Sequence, residues 1–309
     1  MWRISLNSSQ LAMGESCRYQ HFLTYRRGIR PLATAANLAF GDAVDEAVRA
    51  FLLATASGAS VPDPVATFLQ RWDSLQIAGP LRFAATHTPK MFRKMGTDLM
   101  AALPAAWRST GLTIAVDASD APLVNVALSM ELGARGDLSV EWRGLIDFMA
   151  FTDEGHLAVL DIKTATSGHT TLFTRRADQL TSYQLLIGAH QGRLGLPPLR
   201  RLGFWDLLKR RARASILAPL LVVPRSAPEL EEFVDKIFWF AEDIQRRRFP
   251  RASRMQFNSP CAMCDLAALC VDGDKDGLHV PAVAQIDADV PQVRVELSRG
   301  APRALSSSP

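Results

Sequence analysis

The fold turns on two stretches, Gly144-Leu145-Ile146-Asp147-Phe148-Met149-Ala150-Phe151 and, after a short turn, His156-Leu157-Ala158-Val159-Leu160-Asp161-Ile162-Lys163-Thr164. Both read as strands, and Asp153-Glu154-Gly155 between them supplies the turn. Strand side chains alternate faces, so Asp161 and Lys163 share one face while Leu160 and Ile162 point into the core. Two charged groups on one face of an otherwise apolar strand are costly unless they are exposed, paired or bound to a metal. If the strands pair as a hairpin, Asp147 reaches the same edge. Two carboxylates there make an all-oxygen site for a hard cation such as Mg²⁺ or Mn²⁺. Taken alone, D-x-K on a strand is most often a surface ion pair.

Outward from this hairpin the texture divides. Towards the N-terminus the pattern is helical: a rough stripe over 8–25 after a Ser-rich start, a clear helix over 36–56 with Phe40, Val44, Val48, Phe51 and Leu52 at three- and four-residue steps, and two more over about 62–77 and 89–109. From Leu112 strands predominate, at LTIAVD, LVNVALSMEL, LSVEWRGLIDFMAF and HLAVLDIKT. A helix over 175–191, strands over about 200–209 and 214–223, and a helix over 227–247 follow. Helices, a meander, a helix and further strands describe an α/β core with a helical attachment. Residues 281–309 are rich in Pro, Ala and Ser and predict a flexible tail.

The predicted helix after the second strand carries Gln179 and Tyr183 at i, i+4, hence on one face, where an amide and a phenol could contact phosphate or base. A metal at the carboxylates would polarise a phosphate and lower the pKa of a bound water, while Lys163 would orient that water or stabilise the developing charge. In order and spacing, Asp147, Asp161–Lys163 and Gln179–Tyr183 resemble the G-x-x-D, D/E-x-K and Q-x-x-x-Y motifs of the RecB-like branch of the PD-(D/E)XK nucleases. The resemblance implies a restriction-endonuclease-like α/β fold, a central mixed sheet flanked by helices, and a metal-dependent DNA nuclease acting on ends or single strands. It makes Asp147, Asp161, Lys163, Gln179 and Tyr183 the catalytic set. An early helix of that family carries Gly-x-x-x-His, whose His binds metal; here the segment is Gly41-Asp42-Ala43-Val44-Asp45, so Asp45 stands in the ligand position beside Asp147 and Asp161.

The four cysteines are Cys17, Cys261, Cys264 and Cys270, the last three as C-x2-C-x5-C. Four soft thiols with none to spare fit one metal centre, either a 4Fe–4S cluster or a structural zinc. Zinc ribbons usually present two close pairs. One cysteine before the nuclease motifs and three after them is instead similar to the iron–sulfur nucleases of the same superfamily, the AddB subunits and CRISPR-associated nucleases among them. That resemblance implies a 4Fe–4S cap made by both chain ends on a single nuclease domain over 1–280, with a helical part over 1–110, a catalytic sheet over 111–225, and a C-terminal helix and cysteine triplet over 226–280.

Composition is that of a globular protein, 48% apolar and 21% charged. No apolar run approaches the ~20 residues a membrane helix needs, and no secretory signal is evident, which predicts the cytoplasm and no membrane partner. Residues 1–270 hold 31 Lys and Arg against 25 Asp and Glu, a mildly basic body suited to DNA. Two basic clusters stand out, Lys209, Arg210, Arg211 and Arg213, then Arg246, Arg247, Arg248, Arg251 and Arg254. The chain has no G-x-x-x-x-G-K-[ST] segment, so any motor would be a separate helicase or recombination partner. Asp272-Gly273-Asp274 opens like an EF-hand loop, but position twelve is Val283, where a Glu is required. The alternative function is a catalytically weak DNA-binding or assembly subunit that keeps the fold and cluster.

Overall fold

A computed structural model describes residues 1–210, 215–255, 257–282 and 303–304. Arg211, Arg213 and nearly all of the expected tail lie outside the described residues. In chain order, strand Trp2–Asn7 (β1) leads into helices Ser8–Ser16 (α1) and Arg18–His21 (α2), a π-helical turn Phe22–Arg26, and short strands Arg30–Pro31 (β2) and Thr34–Ala35 (β3). Helices Ala36–Ser57 (α3), Pro64–Ala78 (α4) and Pro89–Ser109 (α5) follow, with Leu81–Arg82 (β4) before α5. Then come strands Thr113–Ile114 (β5), Val124–Arg135 (β6), Leu138–Phe151 (β7) and Leu157–Ala165 (β8), and helices Thr171–Arg176 (α6) and Asp178–Leu194 (α7). Strands Leu199–Leu208 (β9), Ser215–Ile216 (β10) and Leu220–Val222 (β11), helices Ala227–Gln245 (α8) and Ala267–Asp272 (α9), and strand Leu278–His279 (β12) complete the described body.

The chain forms two compact units. One takes in Met1–Ala33, Ser129–Arg143 and, of the described residues, 231–282; the other takes in Thr34–Leu128 and Gly144–Leu230. In the second, β8 lies between β7, antiparallel to it, and β9, parallel to it, and β10 and β11 pair antiparallel with β9. The mixed sheet expected of the fold is therefore present. Its two faces have different partners. Phe148, Ala150, Leu160, Trp205 and Leu207 pack against Phe40, Val44, Val48, Phe68, Trp72, Phe92, Leu99 and Trp107 of α3, α4 and α5. Phe40, Phe68 and Trp72 are wholly buried, each contributing about 2–3 kcal/mol by burial. The α4 and α5 starts are fixed by Asp63 and Thr88, whose side chains accept from Val65 N and Met91 N, each followed by a proline whose missing N–H costs nothing there. By strand alternation Asp147, Asp161 and Lys163 point to the other face, which α7 covers.

In the first unit β1 runs parallel to β7, Trp2 opposite Leu138 through Asn7 opposite Arg143. This strand was not among the sequence expectations, although Ile4 and Leu6 alternate and are both buried. The helix expected over 8–25 is interrupted at Cys17, which is extended (φ −159°). The cysteine sulfur accepts from Gln20 N at 3.4 Å and so starts a new helical turn, a capping role that a helical stripe cannot signal. Among the described residues no helix is long and apolar enough to cross a membrane.

Candidate functional site

The ladder between β7 and β8 ends at Phe148 opposite Leu160. One step further the Asp147 side chain takes over, its Oδ2 accepting from Ile162 N at 2.7 Å. On its other side β8 stays paired with β9 as far as Ala165 opposite Leu208. β8 is thus held rigid from one side while its partner on the other side is a carboxylate. Asp147 and Asp161 follow this register to the same edge, where they are 8% and 1% exposed.

Three groups hold Asp161. Tyr183 OH donates to Oδ1 at 2.7 Å, Gln179 Nε2 donates to the same oxygen at 2.5 Å, and Lys163 Nζ stands 2.6 Å from Oδ2. Lys163 also donates to Gln179 Oε1 at 2.7 Å, closing a ring of three side chains with Asp161, to which Tyr183 is attached. Burial and the adjacent carboxylates Asp161 and Asp147 push the Tyr183 hydroxyl well above its ordinary pKa, so it remains a donor. Gln179 and Tyr183, expected at the substrate, therefore have Asp161 as a partner here, and Tyr183 is only 2% exposed. Gly144 has its own role: a Cβ there would lie 2.5 Å from Leu186 Cδ1, so an added methyl would have to displace the end of that buried side chain on α7.

Asp161 Oδ2 is buried and accepts no aligned hydrogen bond among the described residues, although Lys163 is close. The distance fits an ion pair and the angle does not fit a hydrogen bond, so the contact is charge attraction that leaves lone pairs for another electron acceptor. A hard divalent cation is such an acceptor, and Asp161 with Asp147 offers it oxygen only. Asp45 lies half-buried on α3, which packs against the other face of the sheet. Among the described residues no three His, Cys, Asp or Glu side chains are gathered closely enough to hold a metal ion.

The cysteines meet in the other unit. Cys17, Cys261, Cys264 and Cys270 line one cavity of about 210 Å³ together with Tyr19, Arg251 and Arg254. Burial, and secondarily the other three cysteines, push the Cys264 thiol above its ordinary pKa. Cys17 Sγ accepts from Ala252 N at 3.4 Å as well as from Gln20 N, donors that suit a thiolate. The four thiols thus share one cavity lining, although no three of them stand close enough together to hold a metal ion among the described residues. Of the second basic cluster, Arg246 and Arg248 are already paired with Glu242 and Asp243. In the first, Lys209 donates to Asn37.

Sequence reading passed over one pair near the site. His169 donates from its backbone N to Asp206 Oδ2 at 2.7 Å and from Nδ1 to Oδ1 at 2.6 Å, and Asp206 is the β9 partner of Lys163. Asp-x-Lys in β8 and a lone Asp in β9 carry no common motif; only strand register joins them.

Compared with known proteins, residues 5–271 match the sequence pattern of the PD-(D/E)XK nuclease superfamily. Among curated proteins there is no match. One similar solved structure is the "Putative exonuclease" from Eubacterium rectale, 13% identical over 85% of this chain and 86% of that one, with a TM-score of 0.51. Another is SSO0001, 14% identical over 85% of this chain and 95% of that one, with a TM-score of 0.35. At these identities the first shows a shared fold.

Proposed function

This chain belongs to the PD-(D/E)XK nuclease superfamily, and from that premise we propose that it hydrolyses phosphodiester bonds in DNA with a divalent cation, as an exonuclease serving repair, recombination or the processing of mobile DNA. The observation that carries the reading is the buried Asp161, with two donors on one oxygen and Lys163 beside the other. Asp147 and Asp161 would hold Mg²⁺ or Mn²⁺. When bound, the ion would supply Lewis-acid activation of water and neutralise charge on the phosphate. Lys163, its side chain a third exposed, would stabilise the negative charge that builds up on the phosphate. Tyr183 and Gln179 fix the Asp161 rotamer, so the carboxylate need not reorganise during the reaction. Asp45 would complete the ligand set in the family's imidazole position.

The cysteines of the other unit would hold a 4Fe–4S cluster in a cytoplasmic, thiol-preserving setting. The C-x2-C-x5-C triplet with one distant cysteine supports iron–sulfur over zinc. Hydrolysis moves no electrons, so the cluster's part is structural.

Labelled single- and double-stranded DNA, incubated with Mg²⁺ or Mn²⁺, tests the activity. Wild-type protein is expected to degrade DNA, while Asp161→Ala and Lys163→Ala lose at least about a hundredfold in kcat and still bind. Asp45→Ala should lose activity as completely if it is a ligand. The aspartate at position 45, where the family has an imidazole, favours the second reading, a weakly catalytic DNA-binding subunit; that reading prevails if wild type binds DNA and cuts neither substrate with either metal.

A further inference from the structure

Beside the carboxylate centre, strand register sets Phe204 next to Asp161 and Asp206 next to Lys163 on the face that α7 covers. Asp206 is 3% exposed and takes both the backbone N–H and Nδ1 of His169. A carboxylate only accepts, so Nδ1 carries the proton and the imidazole is pinned in one orientation. The pinned ring lies 4.7 Å from Phe204 at 31° and 4.7 Å from Phe173 at 32°, and Lys163 Nζ is 5.6 Å from the Phe204 centroid. Three rings therefore lead from the catalytic lysine to α6.

At the outer end Phe173 is 53% exposed and Leu172 is 74% exposed. Arg175 and Arg176 follow on the same short helix and are exposed too. Exposed apolar groups of this size beside a catalytic centre mark a contact surface. Two arginines within three residues of Phe173 select an anionic occupant over an apolar one. The occupant that offers both a flat ring and a negative backbone is a nucleotide. A duplex keeps its bases stacked on each other and offers no free face within its length; an unpaired strand offers one at every residue.

We infer that Phe173, backed by the Asp206-pinned His169, is a stacking seat for an unpaired nucleobase next to Asp161 and Lys163, with Arg175 and Arg176 taking the flanking phosphates. The seat makes single-stranded DNA or a frayed end the substrate. It rests on the nuclease reading and adds to it the residues that would receive the strand.

The test separates the two. With no divalent metal present, the full chain is titrated with a single-stranded oligonucleotide carrying 2-aminopurine, and with the blunt duplex of the same sequence. Wild type should quench the probe on the single strand and prefer it to the duplex. Phe173→Ala should abolish the quench and cost about tenfold in single-strand affinity, as loss of one base stack implies. Phe173→Trp should restore both. Replacing Arg175 and Arg176 by Ala should flatten the salt dependence by about 1.4 units of slope, about 0.7 for each phosphate contact on a single strand. Tighter binding of the duplex, or a Phe173→Ala protein that quenches and binds like wild type, overturns the seat even where the wild type cleaves DNA. Phe173-dependent quenching by a protein that cleaves nothing leaves the seat standing and removes the nuclease activity instead. A surface that binds another protein gives neither quench nor strand preference.

Discussion

Tyr183 shows how much of a motif's meaning depends on where its side chain ends. From sequence it shares a helix face with Gln179, and both could reach a substrate. In the fold the phenol is buried and donates to Asp161 Oδ1 at 2.7 Å. Its raised pKa keeps it neutral across the working range: the native state binds the proton more tightly than the unfolded chain. That contribution is present below pH ~10 and is lost as pH rises beyond it. Tyr183→Phe removes one donor and little volume. It should lower kcat by about ten- to a hundredfold, leave KM nearly unchanged and raise the metal concentration needed for half activity, as loss of a group orienting a ligand does. A variant with wild-type metal dependence would show that the phenol has no part in holding the carboxylate.

Among the elements, the β7–α7 contact carries the most consequence. Gly144 and Leu186 meet so closely that a single methyl on the strand has no room. Gly144→Ala should destabilise the protein by about 1–3 kcal/mol, the cost of overpacking against the buried Leu186 side chain. Gly188, on the same helix, faces open space: a methyl added there would meet nothing within 4 Å. Gly188→Ala should therefore gain up to about 1 kcal/mol from helix propensity. Urea denaturation of both variants checks this, and equal effects would remove the packing explanation. The G of G-x-x-D could be read in the sequence as a motif letter. Its reason, a helix one methyl away, could not.

At the scale of the whole molecule, residues 17 and 261–270 meet in one unit although almost the entire sheet lies between them in sequence. A metal group there would close a loop of more than about two hundred residues and should stabilise by several kcal/mol, in the manner of a disulfide. Anaerobically purified protein is expected to carry iron and sulfide at about four each per chain. Cys17→Ala should lose the iron and melt well below the parent. Full iron content and an unchanged melting temperature in that variant would mean that Cys17 is not a ligand, and stoichiometric zinc would replace the cluster with the rival metal.

The sequence alone determined the succession of the long elements from α3 to α8 and the shared face of Asp161 and Lys163, because strand alternation and helical periodicity are local and need only neighbouring residues. It also determined that four cysteines are available to one centre. Helix limits at α3, α4 and α5 were legible within two residues, since each apolar stripe is bounded by a capping residue, proline or glycine. The tertiary structure decided the rest. It broke the first helix at Cys17, where a sulfur caps a new turn, and added β1, whose six residues are a strand only because β7 offers a parallel edge. It turned Gln179 and Tyr183 towards a carboxylate and set His169 against Asp206. Each of these depends on which strand lies beside which and how closely a helix approaches, distances that arise from packing and are not written in the spacing of residues along the chain.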